Sequence, residues 1–327
     1  MKIAIAILVG PADDYEVLRE AGHELTFSPK RSEGVLRLTT DELIELAVDA
    51  DGLVYNVVTP EILAALPHLK FVVSPYVGYD KIDVQAATVA SVLVCNTQTE
   101  GNTAGMAEAT LTLMLAAAKR LPQRAARLRD GGWRDDGSEQ ATLFHGSTVG
   151  IVGFGAIGQS VARHLGGWGA RLMAHTRTPR EDVARELGVE LVDLPKLLAE
   201  ADVITLHVPL EPSTHGLIGE PELRQMKPNV TLINTSRGAV LDQAALARAI
   251  EDEWIRGAAL DVFDPEPLPP YHPLRALDPA RLLLTPHSMS NTPAGRRGTQ
   301  REVVDNILTA ANGGVPRTAL NPQVREA

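Results

Sequence analysis

The sequence predicts an α/β protein with two doubly wound, parallel β-sheets. Three observations carry this prediction. The chain has 327 residues, which suits two domains at roughly 150 residues each. Short apolar segments alternate with helix-forming ones along most of the chain, as in sheets covered by helices. A glycine-rich turn at 153–158 follows an apolar, β-branched segment and opens a helical one.

The first part of the chain predicts one such sheet. Apolar runs that end at glycine, proline or polar residues predict strands at 3–9, 25–27, 53–57, 71–74 and 92–95. The segments between them predict helices at 13–20, 41–48, 61–66 and about 84–89.

The remaining chain predicts a second, larger sheet. A helix at 103–119 is apolar nearly all round, so we expect it to be buried. Trp133, in the polar loop that follows, either anchors a subunit contact or tethers the loop. Strands are predicted at 148–152, 171–175, 190–192, 203–207, 231–234, 258–262 and 282–285, and a last helix at 295–311.

The composition of the chain excludes several classes of function. The net charge is −10 and no dense Lys/Arg run occurs, which argues against nucleic acid as a partner. Cys95 is the single cysteine and lies in an apolar run, so we expect a buried, unreactive thiol. The chain has no signal-peptide pattern and no apolar run near the roughly 20 residues of a membrane span, so we expect a cytoplasmic protein without a membrane partner. Its residue spacings predict no metal site and no serine-hydrolase elbow.

The glycine-rich turn favours a dinucleotide site over a purely structural turn, because a strand precedes it and a helix follows it. Gly153 would allow the tight turn, Gly155 the approach of a pyrophosphate, and Gly158 close packing of helix on strand. The phosphates would bind the backbone amides at the helix N-terminus, which include those of Ala156 and Ile157.

Four further segments each follow a predicted strand, where open α/β sheets bind their ligands: 206–209, 234–238, 261–268 and 285–287. Together with the glycine turn, their order and spacing resemble the D-isomer-specific 2-hydroxyacid dehydrogenases over nearly the whole chain. The resemblance implies two Rossmann-like doubly wound domains. The smaller, flavodoxin-like substrate domain would comprise 1–100 and 293–327, and the larger dinucleotide-binding domain 101–292. It also implies a nicotinamide cofactor and a homodimer.

Three side chains suit the reduction of a 2-oxo acid. Arg237 offers a planar guanidinium for the substrate carboxylate. His287 can exchange a proton with the carbonyl oxygen, since histidine has a reference pKa near 6.5. Glu266 would orient the imidazole and favour its charged form. Either a lone arginine or a lone histidine at a strand end is more often structural, but the resembled family assigns these roles to the matching three residues.

The resemblance adds further contacts. Asp261 would accept a hydrogen bond from the nicotinamide carboxamide or ribose, unless it merely caps a turn at the strand end. His207, Pro209 and Thr235 match segments that lie along the cofactor.

In the first domain, Tyr76, Val77 and Gly78 match the family's substrate loop. Backbone amides near the Val-Gly pair would hold the carboxylate, and Gly78 would permit the turn. Tyr76 stands where a glycine is usual, and Met289 is bulkier than the residue expected there. Because Tyr76 and Met289 differ from the family pattern, the sequence does not define which group the substrate carries beyond its 2-oxo acid.

Two segments concern specificity. NAD-dependent relatives carry an acidic residue where this chain has Thr176 followed by Arg177, a pair suited to a 2′-phosphate, so we expect a preference for NADPH over NADH. Residues 53–60 contain no cation, which disfavours a phosphoglycerate dehydrogenase and favours glyoxylate, hydroxypyruvate or a 2-oxo acid with an apolar tail. The alternative function belongs to a different class: a binding protein that senses NAD(H) without catalysing a reaction, like the corepressors that share this fold.

Overall fold

The computed structural model describes residues 1–29, 38–134 and 140–325. The chain divides into two compact units. Unit 1 comprises Met1–Asn102 and Asn291–Ala327, and unit 2 comprises Thr103–Ser290. Each unit contains one sheet in which every strand pair is parallel.

Unit 1 has a five-stranded sheet in the order β2-β1-β3-β4-β5, which is the flavodoxin-like order. Its strands are β1 (Lys2–Ile5), β2 (Glu24–Phe27), β3 (Gly52–Val54), β4 (Phe71–Val73) and β5 (Leu93–Cys95). Its helices are α1 (Glu16–Glu20), α2 (Thr40–Ala47), α3 (Pro60–Ala65), α4 (Val84–Val89) and, from the C-terminal segment, α12 (Pro293–Ala311).

Two strands of unit 1 are shorter than predicted. The amides of Ala6 and Ile7 both donate to the carbonyl of Val54, so the β1–β3 ladder ends there instead of continuing to 9 and 57. The predicted helix 13–20 begins as a 3₁₀ turn, Ala12–Tyr15, before α1. Burial of Cys95 raises the pKa of its thiol to about 12, which agrees with the unreactive thiol that was expected.

Unit 2 has a seven-stranded sheet in the order β12-β11-β10-β9-β6-β7-β8. Its strands are β6 (Thr148–Val152), β7 (Arg171–His175), β8 (Val189–Leu191), β9 (Val203–Leu206), β10 (Thr231–Asn234), β11 (Gly257–Leu260) and β12 (Leu282–Leu284). Helix α5 (Glu100–Ala118) begins just before the unit, and the others are α6 (Leu121–Arg129), α7 (Ala156–Leu165), α8 (Glu181–Glu186), α9 (Leu194–Glu200), α10 (Glu220–Leu223) and α11 (Gln243–Glu251).

The unit 2 sheet is buried on both faces. Along β9, Val203 packs in one hydrophobic cluster and Ile204 in the other. A parallel sheet covered by helices requires such continuous apolar strands, because alternate side chains point to opposite faces. The predicted Rossmann-like, doubly wound class is therefore confirmed in both units.

Helices α5 and α6 differ in burial. Leu113 and Met114 of α5 are each 1% exposed, as its apolar surface predicted. Helix α6 has no buried residue, and its Leu121 and Leu128 are each 59% exposed. Within the described ranges, no helix is both long and apolar enough to span a membrane.

The order of the unit 2 strands positions the candidate site. Strands β6 and β9 are neighbours at the centre, and the chain builds outward from them in opposite directions, to β7 and β8 on one side and to β10, β11 and β12 on the other. Open α/β sheets bind ligands at the carboxyl ends of the strands at such a reversal. The loops after these strands carry most of the predicted site residues.

Candidate active site

The glycine turn after β6 leaves no room for side chains at two positions. Gly153 has φ of +100°, and a Cβ there would lie 2.6 Å from the carbonyl carbon of His207. A Cβ on Gly158 would collide with the carbonyl oxygen of Gly153. A Cβ on Gly155 would meet nothing within 4 Å, so the backbone there is open to a ligand.

Helix α7 begins directly after this turn with Gly155 as its N-cap, and no side chain caps it. The first amide with a helical acceptor is that of Gln159, which donates to Gly155 at 2.9 Å. The amides of Ala156, Ile157 and Gly158 belong to the first turn and lack such an acceptor by geometry. Open backbone and outward-pointing amides together fit a dinucleotide pyrophosphate.

His287 and Glu266 are in direct contact. The imidazole Nδ1 lies 2.9 Å from Oε2 and 3.0 Å from Oε1 of the carboxylate. Because an ionised carboxylate only accepts hydrogen bonds, Nδ1 carries the proton, and Nε2 points away from Glu266. Both side chains are partly exposed, at 49% for His287 and 32% for Glu266.

The carboxylate of Glu266 is kept ionised. Burial alone would raise its pKa, but hydrogen bonds from His287 and from the amide of Phe263 outweigh it, and the charge of Arg237 adds to them. The pKa of Glu266 therefore lies below its usual value. An ionised Glu266 can stabilise a positive charge on the imidazole.

Arg237 follows β10 on a segment fixed by a buried asparagine. The Asn234 side chain donates to the carbonyl of Arg237 at 2.9 Å and accepts from the amide of Ser236 at 3.0 Å. A Cβ on Gly238 would collide with the backbone at Phe263. This close approach brings Arg237 beside the 263–266 segment, where its charge acts on Glu266.

The loop that carries His287 is held by Asp261. His287 has φ of +51°, a left-handed conformation that costs a non-glycine residue about 1–3 kcal/mol. The carboxylate of Asp261, 1% exposed, accepts hydrogen bonds from the Thr285 hydroxyl at 2.6 Å and from the amides of Ser288 at 3.2 Å and Met289 at 3.3 Å. Sequence reasoning assigned Asp261 to the cofactor, with a cap of a turn at the strand end as the alternative. The cofactor contact stays a prediction, and the hydrogen bonds to the His287 loop agree with the alternative.

The other predicted cofactor contacts have defined surroundings. His207 follows β9, and its Nε2 lies 2.9 Å from the Thr205 hydroxyl. Burial lowers the pKa of His207 to about 4, so its ring is neutral near pH 7. Pro209 is exposed. The hydroxyl of Thr235 lies 3.0 Å from that of Thr110 on α5.

Thr176 and Arg177 follow β7. The hydroxyl of Thr176 donates to the carbonyl of Thr178 at 3.4 Å, and Arg177 Nη1 lies 2.7 Å from an oxygen of Glu211. Sequence reasoning missed Glu211, which is 34 residues from Arg177. Loops after parallel strands of one sheet lie at the same edge, but this contact also depends on β7 and β9 flanking β6, which local sequence does not show.

In unit 1, the predicted substrate loop follows β4. Tyr76 is 41% exposed, its amide donates to the Ser74 hydroxyl at 3.3 Å, and the Asn96 side chain donates to the carbonyl of Val77 at 2.7 Å. Gly78 has no positive φ, so the turn there does not use the left-handed conformation that a glycine permits. Over residues 1–29, 38–134 and 140–325, no three His, Cys, Asp or Glu side chains come together as a metal would require.

Comparison with known proteins decides the family. The model of the NAD binding domain of the D-isomer specific 2-hydroxyacid dehydrogenases matches residues 111–288. The chain belongs to this family. It is similar to a glyoxylate reductase of Korarchaeum cryptofilum, with 40% identity over 288 residues that cover 86% of each chain.

Solved structures agree with this assignment. The dehydrogenase is similar to the TT0316 protein from Thermus thermophilus, with TM-score 0.84 and 35% identity, covering 98% of this chain and 100% of the other. It is also similar to a glyoxylate reductase from Paecilomyes thermophila, with TM-score 0.87 and 27% identity, covering 99% of each. The resemblance seen in the sequence is confirmed, and the protein is a nicotinamide-dependent dehydrogenase.

Proposed function

We propose that this dehydrogenase reduces glyoxylate, or the closely related hydroxypyruvate, to the corresponding hydroxy acid with NADPH. The observation that carries the proposal is the Glu266–His287 contact at 2.9 Å beside Arg237, in a chain whose curated relatives include glyoxylate reductases. An ionised carboxylate, an imidazole and a guanidinium are the groups that reduction of a 2-oxo acid requires.

Each side chain has one role in this proposal. Arg237 binds the substrate carboxylate through its planar guanidinium. Glu266 accepts a hydrogen bond from Nδ1–H of His287 and stabilises the imidazolium, whose Nε2 proton passes to the carbonyl oxygen. The reduced nicotinamide, when bound, supplies the hydride that the carbonyl carbon receives. One hydride and one proton convert the 2-oxo acid to the hydroxy acid and leave His287 neutral.

A small, unphosphorylated substrate fits best. Residues 53–60 carry no lysine or arginine that could bind a phosphate. In unit 1, the amides of Val77 and Gly78 are proposed to bind the substrate, as the resemblance of this loop implies. Tyr76, which is 41% exposed, would limit the size of the substrate's far end.

The preference for NADPH rests on the residues after β7. Thr176 replaces the carboxylate that would repel a 2′-phosphate, and the side chain of Arg177 is 75% exposed and able to reach one. We expect kcat/KM to be higher for NADPH than for NADH. A clear preference for NADH would contradict this part of the proposal.

The family resemblance and an exposed apolar surface support a homodimer. Trp133 is 78% exposed, and Leu121 and Leu128 of α6 are each 59% exposed. Large apolar side chains of this kind are characteristic of subunit contacts. Light scattering is expected to give the dimer mass for the wild type and a weaker dimer for Trp133→Ala. A monomeric wild type would contradict the proposal.

A substrate panel tests the function. Glyoxylate, hydroxypyruvate, 3-phosphohydroxypyruvate, pyruvate and a branched-chain 2-oxo acid are each assayed with NADPH and with NADH. We expect glyoxylate or hydroxypyruvate to give the highest kcat/KM. Turnover highest on the phosphorylated acid would favour a phosphoglycerate dehydrogenase. A folded protein that binds the cofactor and turns over none of them would favour the silent binding protein.

A further inference from the structure

The ion pair between Arg177 and Glu211 joins the two loops that flank the glycine turn. Arg177 lies in the loop after β7, and Glu211 lies in the loop after β9. Strands β7 and β9 are the two neighbours of β6, which ends in the turn 153–158. A contact between their following loops therefore crosses the carboxyl end of β6, where the dinucleotide is proposed to bind.

Glu211 is held on an ordered turn. Its amide donates to the hydroxyl of Thr214 at 2.9 Å, and that hydroxyl lies 2.6 Å from the carbonyl of Pro209. The side chain of Glu211 is 28% exposed, whereas that of Arg177 is 75% exposed. The carboxylate is thus the less exposed member of the pair, and the guanidinium is the one accessible to a ligand.

We propose that Glu211 is a cofactor-specificity residue, which competes with a 2′-phosphate for the guanidinium of Arg177. The inference rests on the proposed function, in which Arg177 reads that phosphate. Glu211 occupies the Nη1 donor of Arg177 at 2.7 Å, and its negative charge would lie close to a phosphate bound by the same guanidinium, so the carboxylate and the phosphate oppose each other there. NADH has no 2′-phosphate for Arg177 to bind, so the competition affects NADPH alone.

The expected size of the effect on NADPH affinity follows from the exposure of the Arg177–Glu211 pair. Exposed ion pairs contribute little, and a competing pair of this kind changes an affinity by about threefold to fivefold. Removing the carboxylate while keeping the shape, with Glu211→Gln, is expected to lower Kd and KM for NADPH by this factor. The values for NADH are expected to stay within about twofold of the wild type.

Three further variants isolate the cause: Glu200→Gln, Arg177→Ala, and Arg177→Ala combined with Glu211→Gln. Glu200→Gln is the matched control, because Glu200 also pairs with an arginine at 2.7 Å, but with Arg171 at the amino end of β7. We expect it to leave the ratio of kcat/KM for NADPH to that for NADH unchanged. In an Arg177→Ala background, Glu211→Gln is expected to change that ratio less than twofold, because the guanidinium that Glu211 contacts is absent.

The experiment measures Kd for NADPH and NADH by fluorescence titration, and kcat/KM with glyoxylate, for all four variants and the wild type. A selective gain for NADPH that depends on Arg177 supports the inference. No gain, an equal gain in Glu200→Gln, or a ratio that rises because NADH binds more weakly would overturn it. The wild-type ratio alone tests the proposed NADPH preference, so failure of that preference is distinguishable from failure of the role of Glu211.

Discussion

At the carboxyl edge of the unit 2 sheet, the loops after β10, β11 and β12 are built differently from the loops after β6, β7 and β9. The first group carries Arg237, Glu266 and His287, and buried polar side chains such as Asn234 and Asp261 hold it in place. The second group presents backbone amides at the N-terminus of α7 and an ion pair of Arg177 with Glu211 whose guanidinium is 75% exposed.

If the proposed roles hold, this difference separates the residues of catalysis from those of cofactor specificity. Proton transfer requires a fixed imidazole, and a strained residue such as His287 stays in place only where its surroundings determine it. Cofactor choice needs only a modest change in affinity, which an exposed ion pair supplies. Substitutions in the first group should therefore act on kcat by orders of magnitude, and substitutions in the second on the cofactor ratio by small factors.

His287→Gln is expected to have the largest effect in the catalytic group. Loss of the general acid should lower kcat for glyoxylate reduction by about 10²- to 10⁴-fold, while Kd for the cofactor stays near the wild-type value. Single-turnover absorbance at 340 nm measures it. His68→Gln, a change at an exposed histidine of unit 1, is the control and should leave kcat unchanged. A fall of less than tenfold would place the acid elsewhere.

Asp261→Ala tests whether buried acceptors hold this group. The substitution removes the acceptor of three hydrogen bonds and leaves the left-handed His287 loop without support. We expect kcat to fall by at least about 100-fold and the free energy of unfolding to fall by about 2–4 kcal/mol.

Urea unfolding and steady-state assays measure the two effects of Asp261→Ala. Asp193→Ala is the matched control, because Asp193 caps α9 by accepting from the amide of Lys196 at 3.0 Å. It should cost about 1 kcal/mol of stability with kcat unchanged. Equal kinetic effects of the two variants would contradict a positioning role for Asp261.

Glu266→Gln tests the catalytic group through the pH dependence of the rate of reduction. The wild-type carboxylate has a lowered pKa, so it remains ionised into the acidic range and favours the imidazolium. The amide of glutamine carries no charge, so the pH at which the rate of reduction declines should move to lower pH, with kcat at pH 7 reduced by about 10- to 100-fold. Unchanged pH profiles would show that Glu266 does not act on His287.

For His207 the expected effect is smaller and concerns the pH dependence of the free energy of unfolding. Burial lowers its pKa to about 4, below the value of about 6.5 expected in the unfolded chain. The unfolded state therefore binds more protons between these values, and stability should fall as the pH drops from about 6.5 towards 4, by up to about 3 kcal/mol. His207→Asn should flatten this part of the pH dependence in urea titrations. Parallel curves for the two proteins would contradict the assignment.

Strand positions in unit 2 followed from local patterns, because parallel strands buried on both faces are continuous apolar runs. Helix α6 was missed because none of its residues is buried and only two of them, Leu121 and Leu128, are large and apolar. In unit 1, β1 was predicted too long, since residues 6–9 continue the apolar run but lose the ladder with β3.

The positions of Arg237, Glu266 and His287 after their strands and the Glu266–His287 contact were expected from the sequence, whereas the hydrogen bonds of Asp261 to the His287 loop and the contact of Glu211 were not. Arg237, Glu266 and His287 each follow a strand, which local sequence shows. The bond from Asp261 to the His287 loop spans 27 residues at Ser288, and the Arg177–Glu211 pair spans 34. Such contacts depend on which strands are neighbours, and no local pattern determines that order.

The central claim, that Arg237 binds the 2-oxo acid carboxylate beside the Glu266–His287 pair, is tested most directly by kcat/KM for glyoxylate in Arg237→Ala. The control is Arg248→Ala, which removes an exposed arginine paired with Glu220 at 3.1 Å. We predict a fall of about 10²- to 10³-fold for Arg237→Ala, with Kd for NADPH within about threefold of the wild type, and no change for the control. Turnover that survives Arg237→Ala at the wild-type level would contradict the account.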